Sequence, residues 1–218
     1  MIKLAVVLSG SGVFDGSEIN EAVLTLLSIE ESNASYACFA PDIQQMHVVN
    51  HLTGEVSFGE VRNVLVESAR IVRGDVKPLS TLEAGDFDAL IVVGGFGVAK
   101  NLSNFATNGT EFTAIEEFID IATEFKLLNK PVGYMCIAPV LLTKIYNNVT
   151  LTIGNDINTA KTLAVLGAKH ENKTVDDVSI DLENKVVTTP AYMLANNLIE
   201  AKVGIKKLIN TVVELCEA

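Results

Sequence analysis

One of the cysteines, Cys136, lies where a strand is expected to turn sharply into a helix. The apolar run 130–135 predicts a strand that ends at this residue, and Pro139 suits the first turn of a helix that begins directly afterwards. At such a turn the positive end of the helix dipole favours a thiolate over a thiol, which makes Cys136 a candidate nucleophile. Free cysteines are more often small buried core residues, and that interpretation is the alternative for Cys136.

Two glycine-rich turns follow other predicted strands. In residues 94–97, Gly-Gly-Phe-Gly, backbone N–H groups can approach a ligand closely enough to form an oxyanion hole, although a tight turn alone would also need these glycines. Residues 10–16, which include Gly12, come close to a dinucleotide-binding loop, but their third glycine falls one place late for the G-x-G-x-x-G spacing. Nucleotide binding is therefore the weaker interpretation of this turn.

Acid–base partners for the cysteine are few. Glu18 opens the first predicted helix, where a carboxylate either complements the helix dipole or, if buried beside the cysteine, acts as a general base or acid. Of the three histidines, His51 lies in a loop that can fold over the site. His170 lies in a charged, polar stretch that indicates solvated surface rather than a base.

The surrounding pattern predicts strands that alternate with helices. Short apolar runs rich in β-branched residues indicate buried strands at 3–8, 35–40, 88–93 and 132–135. Apolar residues at helical spacing indicate helices from residue 19 and over about 62–72, 111–128, 137–146, 157–166 and 195–214. A hairpin is expected at 178–189. The alternation predicts an α/β fold with a mostly parallel sheet, helices on both faces, and a ligand site beyond the carboxyl ends of the strands.

The composition excludes several classes of protein. The 218 residues suffice for one sizeable core and contain no linker-like stretch, so a single domain over 1–218 is expected. The formal net charge of −11, with no basic cluster beyond Lys206-Lys207, disfavours nucleic acid and anionic membranes as partners. No apolar segment reaches the roughly 18 residues that span a bilayer. Three cysteines far apart in sequence predict neither a disulfide framework nor a metal site, and they favour a cytoplasmic location.

Five stretches, spread over nearly the whole chain, resemble the ElbB family, a branch of the PfpI and class I glutamine amidotransferase-like superfamily. They are residues 8–19 (LSGSGVFDGSEI), 49–55 (VNHLTGE), 94–105 (GGFGVAKNLSNF), 135–139 (MCIAP) and 187–194 (VTTPAYML). The resemblance implies a flavodoxin-like, three-layer sandwich with the cysteine on a nucleophile elbow. It also implies a homodimer.

The resemblance assigns roles to particular residues. It implies that Cys136 is the nucleophile, that Glu18 hydrogen bonds its sulfur, and that the backbone N–H groups of Gly95 and Ile137 are the oxyanion donors. Superfamily relatives often place a histidine about twenty residues after the cysteine, where this chain reads 154–158 (GNDIN). His51, Gly12 and Asp156 are therefore taken as further candidate pocket residues, and a glutaminase or protease triad is disfavoured.

The activity that the resemblance implies is that of a cofactor-independent glyoxalase. Such an enzyme would convert small dicarbonyls, glyoxal and also methylglyoxal, to hydroxy acids through a cysteine hemithioacetal, with no metal or glutathione. A non-catalytic thiol sensor or interaction protein, in which Cys136 is oxidised reversibly, is the alternative. A glutaminase is the weakest of the three hypotheses because the histidine is missing.

Overall fold

A seven-stranded sheet forms the centre of the protein, described here from a computed structural model of residues 1–218. Its strands are β1 (Lys3–Val7), β2 (Ser35–Ala40), β5 (Val76–Pro78), β6 (Ala89–Val92), β7 (Val132–Met135), β10 (Ser179–Asp181) and β11 (Val186–Thr189). Two small two-stranded sheets pair β3 (Val49–Asn50) with β4 (Glu55–Val56) and β8 (Thr150–Leu151) with β9 (Lys169–His170). The short strands β6, β7 and β11 are fully buried, and β1 is buried apart from Lys3, as expected of a sheet covered on both faces.

The strand order is β10-β11-β7-β6-β1-β2-β5, and every neighbouring pair is parallel except β10 and β11. From β1 the chain builds the sheet in one direction through β2 and β5, then returns to the other side of β1 with β6. This reversal opens a crevice at the carboxyl ends of β1 and β6, the usual ligand position in such sheets. The two glycine-rich turns meet there, since the N–H of Gly97 donates to the carbonyl of Gly16 at 2.8 Å.

Helices cover both faces of the sheet. They are α1 (Ile19–Glu31), α2 (Val64–Ile71), α3 (Phe96–Lys100), α4 (Phe105–Asn108), α5 (Glu116–Leu127), α6 (Ile157–Val165) and α7 (Leu198–Glu217), with 3₁₀ turns at Leu79–Thr81, Ala84–Asp86, Gly109–Glu111, Ala138–Lys144 and Ala191–Met193. One core cluster lies under α5, α6 and the 138–144 segment, and the other under α1, α2 and α7. None of the helices is both long and apolar enough to cross a membrane.

The predicted α/β flavodoxin-like sandwich is confirmed, but several local predictions were wrong. Residues 138–144 form a 3₁₀ helix instead of an α-helix, and Ala138–Leu142 are all buried. Because this segment is enclosed on every side, tertiary packing rather than an amphipathic stripe decides its geometry. The predicted helix 111–128 begins only at Glu116, and β5 and the β3–β4 hairpin were missed because such short strands carry little periodicity.

One buried side chain, Asn101, joins the segments that form the crevice. Its Nδ2 donates to the carbonyls of Ser9 and Asp15, at 2.8 and 2.9 Å, and its Oδ1 accepts from the N–H of Met46 at 3.0 Å. Asn101 is only 3% exposed, so no water can replace these bonds without a rearrangement. The side chain therefore holds the first turn, the loop before β3 and α3 in one arrangement.

We expect Asn101→Ala to lower the free energy of unfolding by about 2–4 kcal/mol, because two buried carbonyl groups and the N–H of Met46 lose their partner. Denaturant unfolding followed by circular dichroism measures this. Asn104→Ala is the matched control, since Asn104 bonds to Thr113 at the exposed surface and should cost about 1 kcal/mol or less. Equal losses for the two variants would contradict the role given to Asn101.

Candidate active site around Cys136

Cys136 occupies a strained elbow between β7 and the 138–144 segment. Its φ is +58°, a left-handed conformation that residues with a Cβ rarely adopt, and its N–H donates to the carbonyl of Thr189 at 3.0 Å. The next residue, Ile137, already has a right-handed conformation. The chain therefore reverses within one residue, and this places the sulfur at the carboxyl edge of the sheet as a nucleophile elbow does.

The carboxyl group against this sulfur belongs to Glu21, a fully buried residue in the first turn of α1. Glu21 Oε1 accepts a hydrogen bond from the N–H of Tyr192 at 3.0 Å. Glu21 Oε2 lies against Cys136 and the backbone of Gly94 and has no other partner. The contact with the sulfur that the sequence analysis assigned to Glu18 is thus made by Glu21.

Backbone N–H groups converge on the sulfur from two loops. The N–H groups of Gly95 and Ile137 both lie within hydrogen-bonding reach of Cys136 Sγ. This close approach requires glycine at two positions. A methyl group at Gly94 would collide with Cβ of Cys136 and with Glu21 Oε2, and Gly95, at φ +99°, abuts the backbone of residues 16–18. The two donors are therefore placed to hold a developing oxyanion, and that role stays a prediction.

The protonation states at the site differ from the expected free thiolate. Burial raises the pKa of Glu21 to about 8, with a further increase from the charge of Glu18. Burial also raises the pKa of the Cys136 thiol, and the charge of Glu21 adds to this, while the N–H groups of Gly95 and Ile137 oppose it. The expected net activation of the thiol is not found, because burial and the charge of Glu21 outweigh the N–H groups at the start of the 138–144 segment. Near neutral pH both Cys136 and Glu21 therefore hold their protons.

Glu18 is the N-cap of α1 and also faces the cavity described below. Its Oε2 accepts from the N–H of Glu21 at 2.6 Å, which is the dipole and capping role that the sequence analysis left open. Burial raises the pKa of Glu18, and hydrogen bonds from the backbone N–H groups of Glu21 and Asn20 oppose this. The second carboxyl oxygen remains available to a ligand, so the proton-transfer role of Glu18 stays a prediction.

A cavity of about 740 Å³ opens over the elbow. Cys136, Gly95 and Glu18 line its inner part. The wall comprises Val13, Phe96, Ala99, Phe105, Ala106, Gly109, Thr110, Ile137, Thr159, Thr162, Tyr192 and Met193. Cys136 is buried whereas Ala106 and Gly109 are exposed, so the cavity leads from the sulfur outward between α4 and α6. Access to Cys136 therefore runs through this cavity.

His51 and Gly12 contact each other outside the cavity. His51 Nε2 accepts from the N–H of Phe14 at 3.2 Å, and the two rings lie with their centroids 4.9 Å apart. A side chain at Gly12 would collide with the imidazole ring. The assignment of His51 and Gly12 to the pocket is therefore corrected: they hold the loop against the turn that carries Val13, which does line the cavity.

Asp156 and His170 have structural partners instead of a place in the cavity. Asp156 is exposed and caps α6, where its Oδ1 accepts from the N–H of Thr159 at 2.7 Å. His170 is half-buried, against our expectation of solvated surface, and its Nε2 accepts from the N–H of Ile153 at 3.3 Å. Burial lowers the pKa of His170. None of the three histidines lines the cavity, and no three His, Cys, Asp or Glu side chains are grouped to hold a metal ion.

Sequence reasoning missed Glu21, although a signal was present. The buried residues of α1 are Glu21, Ala22, Thr25, Ser28 and Ile29. Glu21 is thus an acidic residue on the inward face of an amphipathic helix, where carboxylates are rarely found without a partner. A buried carboxylate with a raised pKa that faces a cysteine is typical of functional sites.

A cysteine elbow at the carboxyl edge of a flavodoxin-like sheet, with backbone donors and a buried carboxyl around the sulfur, defines an amidotransferase-like α/β protein. No protein-family profile matches the chain. It is 44% identical to the human "Glutamine amidotransferase-like class 1 domain-containing protein 3, mitochondrial" over 98% of this chain and 83% of that protein. It is 32% identical to the Danio rerio "ES1 protein, mitochondrial" over 88% of this chain and 77% of that protein.

Among solved structures, an isoprenoid biosynthesis protein with an amidotransferase-like domain from Ehrlichia chaffeensis superimposes with a TM-score of 0.91. The two sequences are 36% identical, and the match covers 99% of each chain. The chain therefore belongs to the ElbB and ES1 branch of the PfpI and class I glutamine amidotransferase-like superfamily, as its resemblance predicted.

The comparisons contradict the cytoplasmic location that we expected. The human and zebrafish relatives are both named mitochondrial. Three free cysteines, which were the basis of the expectation, bear on redox conditions and do not distinguish one reducing compartment from another.

Proposed function

We propose that the protein is a cofactor-independent glyoxalase that isomerises and hydrates 2-oxoaldehydes to 2-hydroxy acids. One observation carries the proposal: a cysteine with a buried carboxyl partner and two converging N–H donors lies at the inner end of a cavity that a second carboxylate, Glu18, also lines. Each of these groups can assist the addition of a thiol to an aldehyde. The sulfur forms the bond, the N–H groups hold the alkoxide oxygen, and carboxylates move protons.

The reaction balances with water as its only co-reactant. Cys136 Sγ adds to the aldehyde carbon while its proton passes through Glu21 to the new hydroxyl, which gives a hemithioacetal. Glu18 then takes the proton from that carbon and returns it to the neighbouring keto carbon through an enediol, while the hydroxyl proton passes to the keto oxygen, leaving a thioester. The first carbon has been oxidised and the second reduced. Water cleaves the thioester, releasing the hydroxy acid and restoring the thiol.

The absence of a histidine from the cavity lining weighs against a glutaminase, the chemistry suggested by the family name of the relatives. The thiol-sensor hypothesis rests on the same cysteine and predicts reversible oxidation without turnover. The homodimer implied by the resemblance stays a prediction.

We expect the purified protein to consume glyoxal with saturation and to form glycolate, and Cys136→Ala to lower this rate to background. A colorimetric dicarbonyl assay coupled to chromatography of the acid measures both. Cys216→Ala is the matched control, since Cys216 lies near the end of α7 and bonds to the carbonyl of Asp88. Turnover that survives Cys136→Ala would overturn the proposal. If the wild type shows no turnover but Cys136 is oxidised reversibly, the thiol-sensor hypothesis would replace the proposal.

A further inference from the structure

The cavity is much larger than the simplest substrate, and this difference bears on which substrate it takes. The substrate inferred below rests on the proposed function. Glyoxal has four heavy atoms and fills roughly the space of four waters, about 120 Å³ in all. The cavity volume is about 740 Å³, which lies within the range of pockets that bury drug-sized ligands. Glyoxal at the sulfur would therefore leave most of the cavity to solvent.

The lining of the cavity is mostly apolar. Nine of its 15 lining residues are hydrophobic, among them Phe96, Phe105 and Met193. The hydroxyl of Thr162 already donates to the carbonyl of Asn158, and the side chain of Thr159 faces the carboxylate of Asp156. Displacement of water from such a wall by carbon atoms is favourable in proportion to the area covered. The wall suits a chain or ring attached to the reacting carbons.

The charges of the cavity exclude an anionic substituent. Glu18 is the only charged residue in the lining, and the carboxyl of Glu21 lies just behind the sulfur. No lysine, arginine or histidine lines the cavity, and the protein has a net charge of −11. A carboxylate or phosphate on the substrate would find no partner and would be repelled. The same repulsion favours release of the product, which gains a carboxylate in the reaction.

We propose that the substrate of this site is an uncharged 2-oxoaldehyde with an apolar chain or ring of about six carbon atoms or more, lying between α4 and α6. The oxoaldehyde end reacts at Cys136 by the steps given above, in which the aldehyde carbon is oxidised, the keto carbon is reduced and one water is consumed. The substituent remains bound to the keto carbon throughout and lies along Phe105 and Ala106.

The test compares kcat/KM for glyoxal, methylglyoxal, 2-oxooctanal and phenylglyoxal. We expect kcat/KM to rise by about threefold for each methylene added beyond methylglyoxal until the chain reaches the rim, and to exceed that of glyoxal at least tenfold for phenylglyoxal. An oxoaldehyde of the same length that ends in a carboxylate should be slower than 2-oxooctanal by a similar factor. Equal or falling values along the uncharged series would overturn the inference.

Matched variants test whether the preference for longer substrates arises in the cavity. Ala106→Phe fills the outer part of the cavity, whereas Thr107→Phe alters the next residue of α4, which is exposed and does not line it. We expect Ala106→Phe to lower kcat/KM for 2-oxooctanal at least tenfold while leaving glyoxal within about threefold, and Thr107→Phe to change neither. Turnover of glyoxal without a gain for longer substrates would overturn the inference and leave the proposed function intact. Failure to consume any oxoaldehyde would overturn the proposed function and the inference with it.

Discussion

Replacement of Glu21 by glutamine is expected to lower dicarbonyl turnover at pH 7 by a factor of about 100 or more, which is the usual loss when a positioned acid–base group is removed. Glutamine keeps the shape of the side chain and can still accept from the N–H of Tyr192. It cannot exchange a proton with Cys136. Steady-state kinetics of wild type and Glu21→Gln measure the loss.

The same substitution should change how the reactivity of Cys136 depends on pH. In the wild type, Cys136 and Glu21 titrate as a pair, and alkylation of the thiol should increase through about pH 8, where the buried Glu21 loses its proton. In Glu21→Gln there is no second acid to titrate, and the charge of Glu21 no longer raises the pKa of the thiol, so the step near pH 8 should disappear and alkylation should follow a single ionisation of Cys136. Iodoacetamide labelling across pH, mapped by mass spectrometry, measures the profile.

Stability gives an independent readout for Glu21. The pKa of Glu21 is about 8 in the folded protein against an ordinary value of 4.5, so the folded state retains a proton that the unfolded state has lost between these pH values. The contribution of this proton to the free energy of unfolding is complete below pH 4.5 and is lost as the pH rises to 8. The unfolding free energy of the wild type should therefore fall relative to Glu21→Gln by about 1.4 kcal/mol for each pH unit in this interval.

Glu67→Gln is the matched control for Glu21→Gln. Glu67, on α2, is also a buried carboxylate, but it pairs with Arg62 and Arg70 and does not line the cavity. Its loss should reduce stability and leave turnover within about twofold. If Glu21→Gln folds, keeps the wild-type alkylation profile and turns over dicarbonyls normally, the assignment of Glu21 as proton partner of the sulfur is wrong.

Glu18→Gln should also lower turnover by a factor of about 100 or more, but at a later step. Glu18 lines the cavity and Glu21 does not, so Glu18 is the carboxylate that can reach the carbon atoms of a bound substrate. Without a base to move the proton between the two carbons, the hemithioacetal on Cys136 should accumulate. Intact-mass spectrometry after rapid quenching detects this adduct, and alkylation of Cys136 in the absence of substrate should stay within about threefold of wild type.

The capping role of Glu18 gives the contrasting outcome. Glutamine can still accept from the N–H of Glu21, so the cost in stability should be about 1 kcal/mol or less. A Glu18→Gln protein that melts at a lower temperature but turns over dicarbonyls at the wild-type rate would reduce Glu18 to a helix cap. Loss of alkylation in this variant would show that the two carboxylates act together on the sulfur.

The fold followed from the sequence because each central element has a strong local pattern. The strands Ser35–Ala40 and Val132–Met135 have the predicted bounds, and the 178–189 hairpin is present as β10 and β11. The predictions failed where packing overrides local pattern. The 138–144 segment is apolar on every side and forms a 3₁₀ helix, and the final helix begins at Leu198 because Asn197, with its side chain on the N–H of Glu200, is the N-cap.

The sequence by itself determined where the candidate nucleophile and the backbone N–H groups around it lie. Cys136, Gly95 and Ile137 follow the carboxyl ends of parallel strands, and adjacent strands bring such ends together regardless of side-chain detail. Only the tertiary structure decided which carboxylate meets the sulfur. Glu18 and Glu21 are three residues apart, but α1 begins at Ile19, so the Glu18 side chain turns back to cap the helix while Glu21 faces the sheet. Residues three apart lie within about 60° of each other around a helix, so the spacing of the two carboxylates does not distinguish them, and the position of the N-cap decides which one meets the sulfur.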